Sequence, residues 1–160
     1  MTNNGGGDVT YRPNSGLAGA DSFTYAIADG RGGAATATVH VTIVPKTLHV
    51  TDLDGSSVST SGRRWRATVQ ITVVDAAGAA VSGATVTGAW SQGATGSSSA
   101  VTNASGVATV QTSNLSRPTT PSVRFSVAGI AHAALSYNAA RNQDPEGDSD
   151  GLRKVLVESA

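Results

Sequence analysis

The sequence predicts an all-β chain built as an antiparallel sandwich, and three observations carry that expectation. Apolar and polar residues alternate with a period of two in segments rich in Val and Thr. These segments recur roughly every eight to twelve residues, and Gly, Asn, Asp and Ser separate them. No segment shows a competing helical period.

Taken in order, Phe23, Tyr25 and Ile27 share one face of DSFTYAIADG, and Ala37, Val39, Val41 and Ile43 share one face of ATATVHVTIV. The two strands are expected to pair through the DGRGG turn, where glycine supplies the positive φ of a tight hairpin. Pro45 cannot donate to a sheet ladder, so it marks the boundary between a domain over 1–45 and one over 46–160. Beyond it lie TLHV (47–50), RATVQITVVD (66–75) with Val69, Ile71 and Val73 inward, and GATVTGAW (83–90) with Val86 and Trp90 in phase. A candidate near 99–101 follows, then GVATVQT (106–112), SVRFSVAG (122–129) with Val123, Phe125 and Val127 in phase, HAALSYN (132–138) and LRKVLVES (152–159). The intervening SQGATGSSSA (91–100) has few apolar groups and reads as a loop or a weak edge strand. In a sandwich each such strand turns one face to the core and one to water.

The chain has 160 residues, of which 39% are hydrophobic and only seven aromatic, so Val, Ala, Leu and Ile must supply most of the core. Eleven basic residues balance eleven acidic ones, which leaves no field to draw in a polyanion, and no apolar run approaches the roughly 18 residues that cross a bilayer. Nucleic acid and membrane insertion are therefore not expected. MTNNGGGDVT lacks a basic start followed by an apolar stretch, so no export signal is read in the chain. With no cysteine, neither disulfide staples nor Cys-ligated zinc is available.

The run GDVTYRPNSGLAGADSFTYAIADGRGGAATATVHVTIV, residues 7–44, resembles the C-terminal half of the cadherin-like and bacterial Ig-like repeats of surface adhesins and large secreted proteins. A whole repeat of that kind has roughly 80 to 100 residues, so the resemblance implies a partial Ig-like unit of three strands with an open flank. Such a flank is completed by a longer chain, by the second domain, or by a second copy adding a strand at the open edge.

Residues 47–158 resemble an invasin-like bacterial Ig-like module of exported enzymes, through LHVTDLDGSS, VVDAAGAAVSGATVTGAW, TNASGVATV, VRFSVAGIAHAALSYN and DPEGDSDG. The resemblance implies an Ig-like β-sandwich with a non-catalytic accessory or spacer role, extracellular or on the bacterial cell surface, with protein or glycan partners. Some relatives carry a cysteine pair bracketing the turn matched by TNASG. Ala100 and Ala108 stand in those places here, so packing alone must hold the hairpin.

The acidic run DPEGDSDG (144–151) raises a question of metal chemistry. Asn142, Asp144, Glu146, Asp148 and Asp150 alternate along a glycine-containing stretch, and calcium takes six to eight such oxygens at about 2.3–2.6 Å. The register differs from the EF-hand, because strand-like LRKVLV occupies the place of the closing glutamate. TDLDG, with Asp52 and Asp54, is a second acidic turn that could contribute. The other reading is a solvated loop between two strands, built from ordinary turn formers.

Catalytic constellations are not apparent. His40, His49 and His132 each fall on the polar face of an alternating strand, so all three are expected to be exposed and scattered. No G-x-S-x-G elbow, H-E-x-x-H pair or phosphate-cradling loop is present. RRWR (63–66) is the one basic-aromatic cluster, and Arg64, Trp65 and Arg66 form a candidate ligand surface for a sugar or an acidic polymer. The alternative is that its arginines lie along a ring and pair with loop carboxylates. The triplets NAS (103–105) and NLS (114–116) would mark surface loops in a eukaryotic secreted protein, and in a bacterial one they read only as turns.

Three functional readings follow. The first is a structural or adhesion module with no cofactor other than calcium. The second is an accessory ligand-binding module of a secreted hydrolase, favoured if Trp65 and Tyr137 stand exposed side by side. The third, an enzyme, needs an imidazole, a nucleophile and a carboxylate within hydrogen-bond reach.

Overall fold

The structure, a computed structural model, describes residues 1–14, 17–145 and 154–159. Two compact units divide the chain, Met1–Pro45 and Lys46–Ala160.

In the first unit, β1 (Thr2–Gly5) and β2 (Asp8–Thr10) form a hairpin across Gly5–Gly7, all three at positive φ. A longer hairpin joins β3 (Gly19–Ala28) to β4 (Ala34–Ile43), pairing Phe23 with Val39 and Tyr25 with Ala37. The Asp29 carboxylate closes its turn by accepting the N–H groups of Arg31 and Gly33 at 2.7 and 2.9 Å, and these bonds lower its pKa. Tyr11 stacks on Phe23 with ring centroids 5.7 Å apart and donates its hydroxyl proton to Asp21. That hydrogen bond raises the Tyr11 pKa and lowers that of Asp21. No described residue of this unit is buried, and Ile27 is 62% exposed. An apolar hairpin face therefore stays open. TNNG carries no apolar alternation, so β1 has no signature in the sequence.

The second unit is an Ig-like β-sandwich. Its first sheet runs from β9 (Val107–Gln111) and β10 (Leu115–Ser116), which follow one another along one edge of β6 (Arg64–Asp75), through β5 (Thr47–Thr60) to β12 (Ser136–Tyr137). The second has the order β13-β11-β7-β8, with β7 at Thr85–Ser91, β8 at Ser97–Val101, β11 at Ser122–Ala131 and β13 at Lys154–Glu158. Pairing is antiparallel except between β12 and β5. The chain passes back and forth between sheets, so both inner faces share one core that includes Leu48, Trp65, Ile71, Val86 and Phe125.

Two irregularities reset which residues face inward. β5 turns Leu48 and Val50 to the core, then shifts register against β6 between Val50 and Asp52, after which Leu53 is the inward residue. β11 does the same between Val127 and Gly129, so that Ile130 follows Val127 inward. One consequence corrects the sequence reading. TDLDG is not a turn but the middle of β5, where Asp52 pairs with Thr72 and Asp54 with Gln70. A second correction concerns TNASG, which closes no hairpin: it carries the chain from β8 in one sheet to β9 in the other. The Asn103 side chain fixes that crossing by accepting the N–H groups of Ser105 and Val107 at 2.9 and 3.1 Å. Ala108 is buried on arrival in β9. HAALSYN shortens to the two residues of β12, and within 91–100 the edge strand begins at Ser97.

Candidate functional site

The basic-aromatic cluster is divided by the strand it occupies. β6 runs with Trp65, Ala67, Val69, Ile71 and Val73 inward, so Trp65 lies in phase with the core and is 0% exposed. Its indole N–H donates to the Thr120 carbonyl at 2.7 Å, which satisfies the one polar atom the ring buries. Arg64 and Arg66 point the opposite way and are exposed, and Arg66 donates to the Asn114 side chain at 3.3 Å. The three residues therefore do not share a surface, and the ring is not available for a sugar to stack on. Extending the parity of Val69, Ile71 and Val73 back by two pairs of residues would have placed Trp65 inside. Trp90 is also buried, donating to Ser98 Oγ at 2.9 Å, and Tyr137 is half-buried, so Trp65 and Tyr137 are not exposed side by side.

The segment that leads into the acidic run is built differently from a ligand loop. β12 lies parallel to the start of β5, pairing Ser136 with Thr47 and Tyr137 with Leu48. A 3₁₀ turn over Ala139–Arg141 then lets the chain keep contact with the same edge. Asn138 N–H donates to Leu48 O at 2.8 Å, and Gln143 N–H donates to Val50 O at 2.9 Å. Between them sits Asn142, 6% exposed, whose Oδ1 accepts the Val50 N–H at 3.0 Å while its Nδ2 donates to Tyr137 Oη at 2.8 Å. An amide side chain here replaces a neighbouring strand, satisfying backbone groups that β5 would otherwise leave bare.

Among the sequence-named calcium residues, Asn142 is thus committed to the β5 edge, and Asp144 is half-buried two positions on. Glu146, Asp148 and Asp150 lie outside the described residues. Asp52 accepts the N–H of Leu53 at 3.0 Å. Among the described residues, no three His, Asp or Glu side chains gather in a way that could hold a metal.

The histidines divide as well. His40 is exposed, and His132 is half-buried with its Nδ1 accepting the Ala134 N–H at 3.2 Å. His49 departs from the expectation of an exposed polar face, since it is 5% exposed. Leu48 and Val50 on either side of it face the core, so the imidazole faces out of the sheet. The chain arriving at 136–143 runs along this part of β5, and the Arg141 charge acts on the ring. Burial first, then Arg141, holds the His49 pKa below its ordinary value, and the Asp75 carboxylate works in the opposite direction. Its Nδ1 has no hydrogen-bond partner among the described residues.

Among the described residues, no helix is long and apolar enough to cross a membrane. No curated protein and no solved structure matches the chain. Residues 1–42, the segment that holds β1 to β3 and all but the last residue of β4, match the family model described as a bacterial Ig domain, and this segment is similar to that family.

Proposed function

We propose that the chain is a non-catalytic structural or adhesion module of a bacterial secreted or cell-surface protein. The observation that carries this reading is the pairing of a bacterial Ig match over residues 1–42 with a second, fully cored Ig-like sandwich immediately downstream. Beads of this kind set distance and present loops and strand edges, and neither task needs a reactive centre. Antibody raised against residues 46–160 should label intact cells of the source bacterium or its culture medium. Label confined to the cytosol of broken cells would remove the surface assignment.

The reading also names a partner for the first unit. Between its two hairpins runs a groove of about 410 Å³ lined by Val9, Phe23, Tyr25, Ile27 and Val39, against the bare backbone of the Gly5–Gly7 turn. A strand from a second copy would cover this apolar surface, so light scattering should show association that weakens on dilution; a concentration-independent monomer would refute it.

Calcium enters as a mechanical brace on the acidic segment, held by Asp144 with Glu146, Asp148 and Asp150. At millimolar calcium and a Kd of about 10 μM it would add roughly 2.7 kcal/mol to stability. Chelator should reverse the resulting rise in Tm, and Asp144→Asn should abolish it. Asn142→Ala should behave differently, costing about 1–2 kcal/mol with or without calcium, because it leaves the Val50 N–H buried without an acceptor. A Tm indifferent to calcium would remove the metal and leave the Asn142 effect intact.

A further inference from the structure

We propose that residues 136–143 form an acid-released latch on the edge of β5, with the His49 imidazole as its trigger. The segment is tied to β5 by a short, identifiable set of bonds: Ser136 N–H to Lys46 O, Asn138 N–H to Leu48 O, Gln143 N–H to Val50 O, and Val50 N–H to Asn142 Oδ1. Little apolar burial reinforces them. Asn142 is its one fully buried residue, Tyr137 is only partly buried against the core, and Arg141 is exposed. The strands beneath are held by the whole sandwich core. Local opening of the latch is therefore the cheaper response to any strain placed between it and β5.

Protonation of His49 creates that strain. The ring is enclosed with an unsatisfied Nδ1, so the added proton brings a charge into a place with few dipoles to receive it. Among the described residues, two charged groups act on the ring, one from the latch and one from the sheet. Arg141 belongs to the latch and repels the imidazolium. Asp75 belongs to the end of β6 and attracts it. Asp75 cannot follow the latch, because its carboxylate is fixed by the N–H groups of Ala77 and Ala79, both at 2.9 Å. The imidazolium is thus repelled by a group that belongs to the latch and attracted by one that stays with the sheet.

The sign follows from linkage. A histidine whose folded pKa is depressed binds its proton more readily in the open state. Latch stability is complete above the ordinary histidine pKa of about 6.5 and declines as pH falls below it. Opening bares the Val50 N–H and the Leu48 and Val50 carbonyls, a strand edge that another chain could pair with.

Amide hydrogen exchange on the full chain tests this, with rates at about pH 7 and about pH 5 corrected for intrinsic chemistry. Protection at Val50, Asn138 and Gln143 should fall about tenfold or more at the lower pH, while Ala67 and Val73 in β6 keep theirs. His49→Gln should abolish the loss, and Arg141→Gln, at an exposed position, should reduce it. Equal loss of protection in β6 overturns the latch, as does a loss that persists unchanged in His49→Gln. Should His49→Gln fail to fold, Arg141→Gln decides: an undiminished loss in that variant refutes the mechanism.

Discussion

Trp65→Ala should destabilise the second unit by about 3–5 kcal/mol, the range for removing a wholly buried large aromatic side chain. The ring sits at the end of β6 where β10 pairs, Leu115 opposite Trp65, so its loss leaves a cavity that touches both. It also strips the Thr120 carbonyl of its donor, and a buried acceptor left alone adds to the cost of the void. Trp65→Phe separates the two terms by filling most of the volume without the N–H, and should cost about 1–2 kcal/mol. Arg64→Ala and Arg66→Ala, both on the exposed face, should each fall within about 0.5 kcal/mol of the parent. Urea denaturation followed by tryptophan fluorescence measures all four, with Trp90 as the probe that remains in the two Trp65 variants. The pattern bears on function because a ring that carries the core cannot also carry a ligand. Were Trp65→Ala to fold normally while losing affinity for a polysaccharide, the accessory-module reading would displace the structural one.

Most of the strands were legible in the sequence because each strand needs only its own alternation to declare its inward face. Val123, Phe125 and Val127 show this, as do Val69, Ile71 and Val73, and the Phe23–Val39 pairing follows from the DGRGG turn between them. What local pattern cannot contain is chain that arrives from elsewhere. His49 alternates correctly with Leu48 and Val50, yet it is buried, because a segment about 90 residues further on runs along β5. Asn142 has a metal ligand's neighbours in sequence, whereas its Oδ1 accepts the N–H of Val50, 92 residues away. The register shift between Val50 and Asp52 was likewise invisible, and it is what disguises TDLDG as a turn while Leu53 joins the core. Trp65 is the opposite case, since its parity with Val69, Ile71 and Val73 places it inward whatever the charge of its neighbours.

Gly88→Ala should cost about 3 kcal/mol, at the upper end of what a single added methyl does to a packed core, and the reason is the company that Gly88 keeps. It lies inward on β7 between Val86 and Trp90, opposite Val127 on β11. A Cβ there would stand 2.2 Å from Phe125 Cζ and 2.6 Å from the Ser126 carbonyl oxygen. The ring has nowhere to retreat, because it packs against Trp90 with centroids 4.9 Å apart, and Trp90 is itself held by its bond to Ser98. The carbonyl is backbone on the paired strand, so relief requires β7 and β11 to move apart. Gly129→Ala on that neighbouring strand is the control: no described residue lies within 4 Å of its Cβ and its φ is not positive, so the reduced entropy of the unfolded chain should make it neutral or stabilising by up to about 1 kcal/mol. If the clash with Phe125 sets the cost, Phe125→Leu should recover part of it in the double variant, giving a coupling energy of about 1 kcal/mol or more. Strict additivity would instead assign the loss to the Ser126 carbonyl, and with it the conclusion that strand spacing, not ring packing, limits this side of the sandwich.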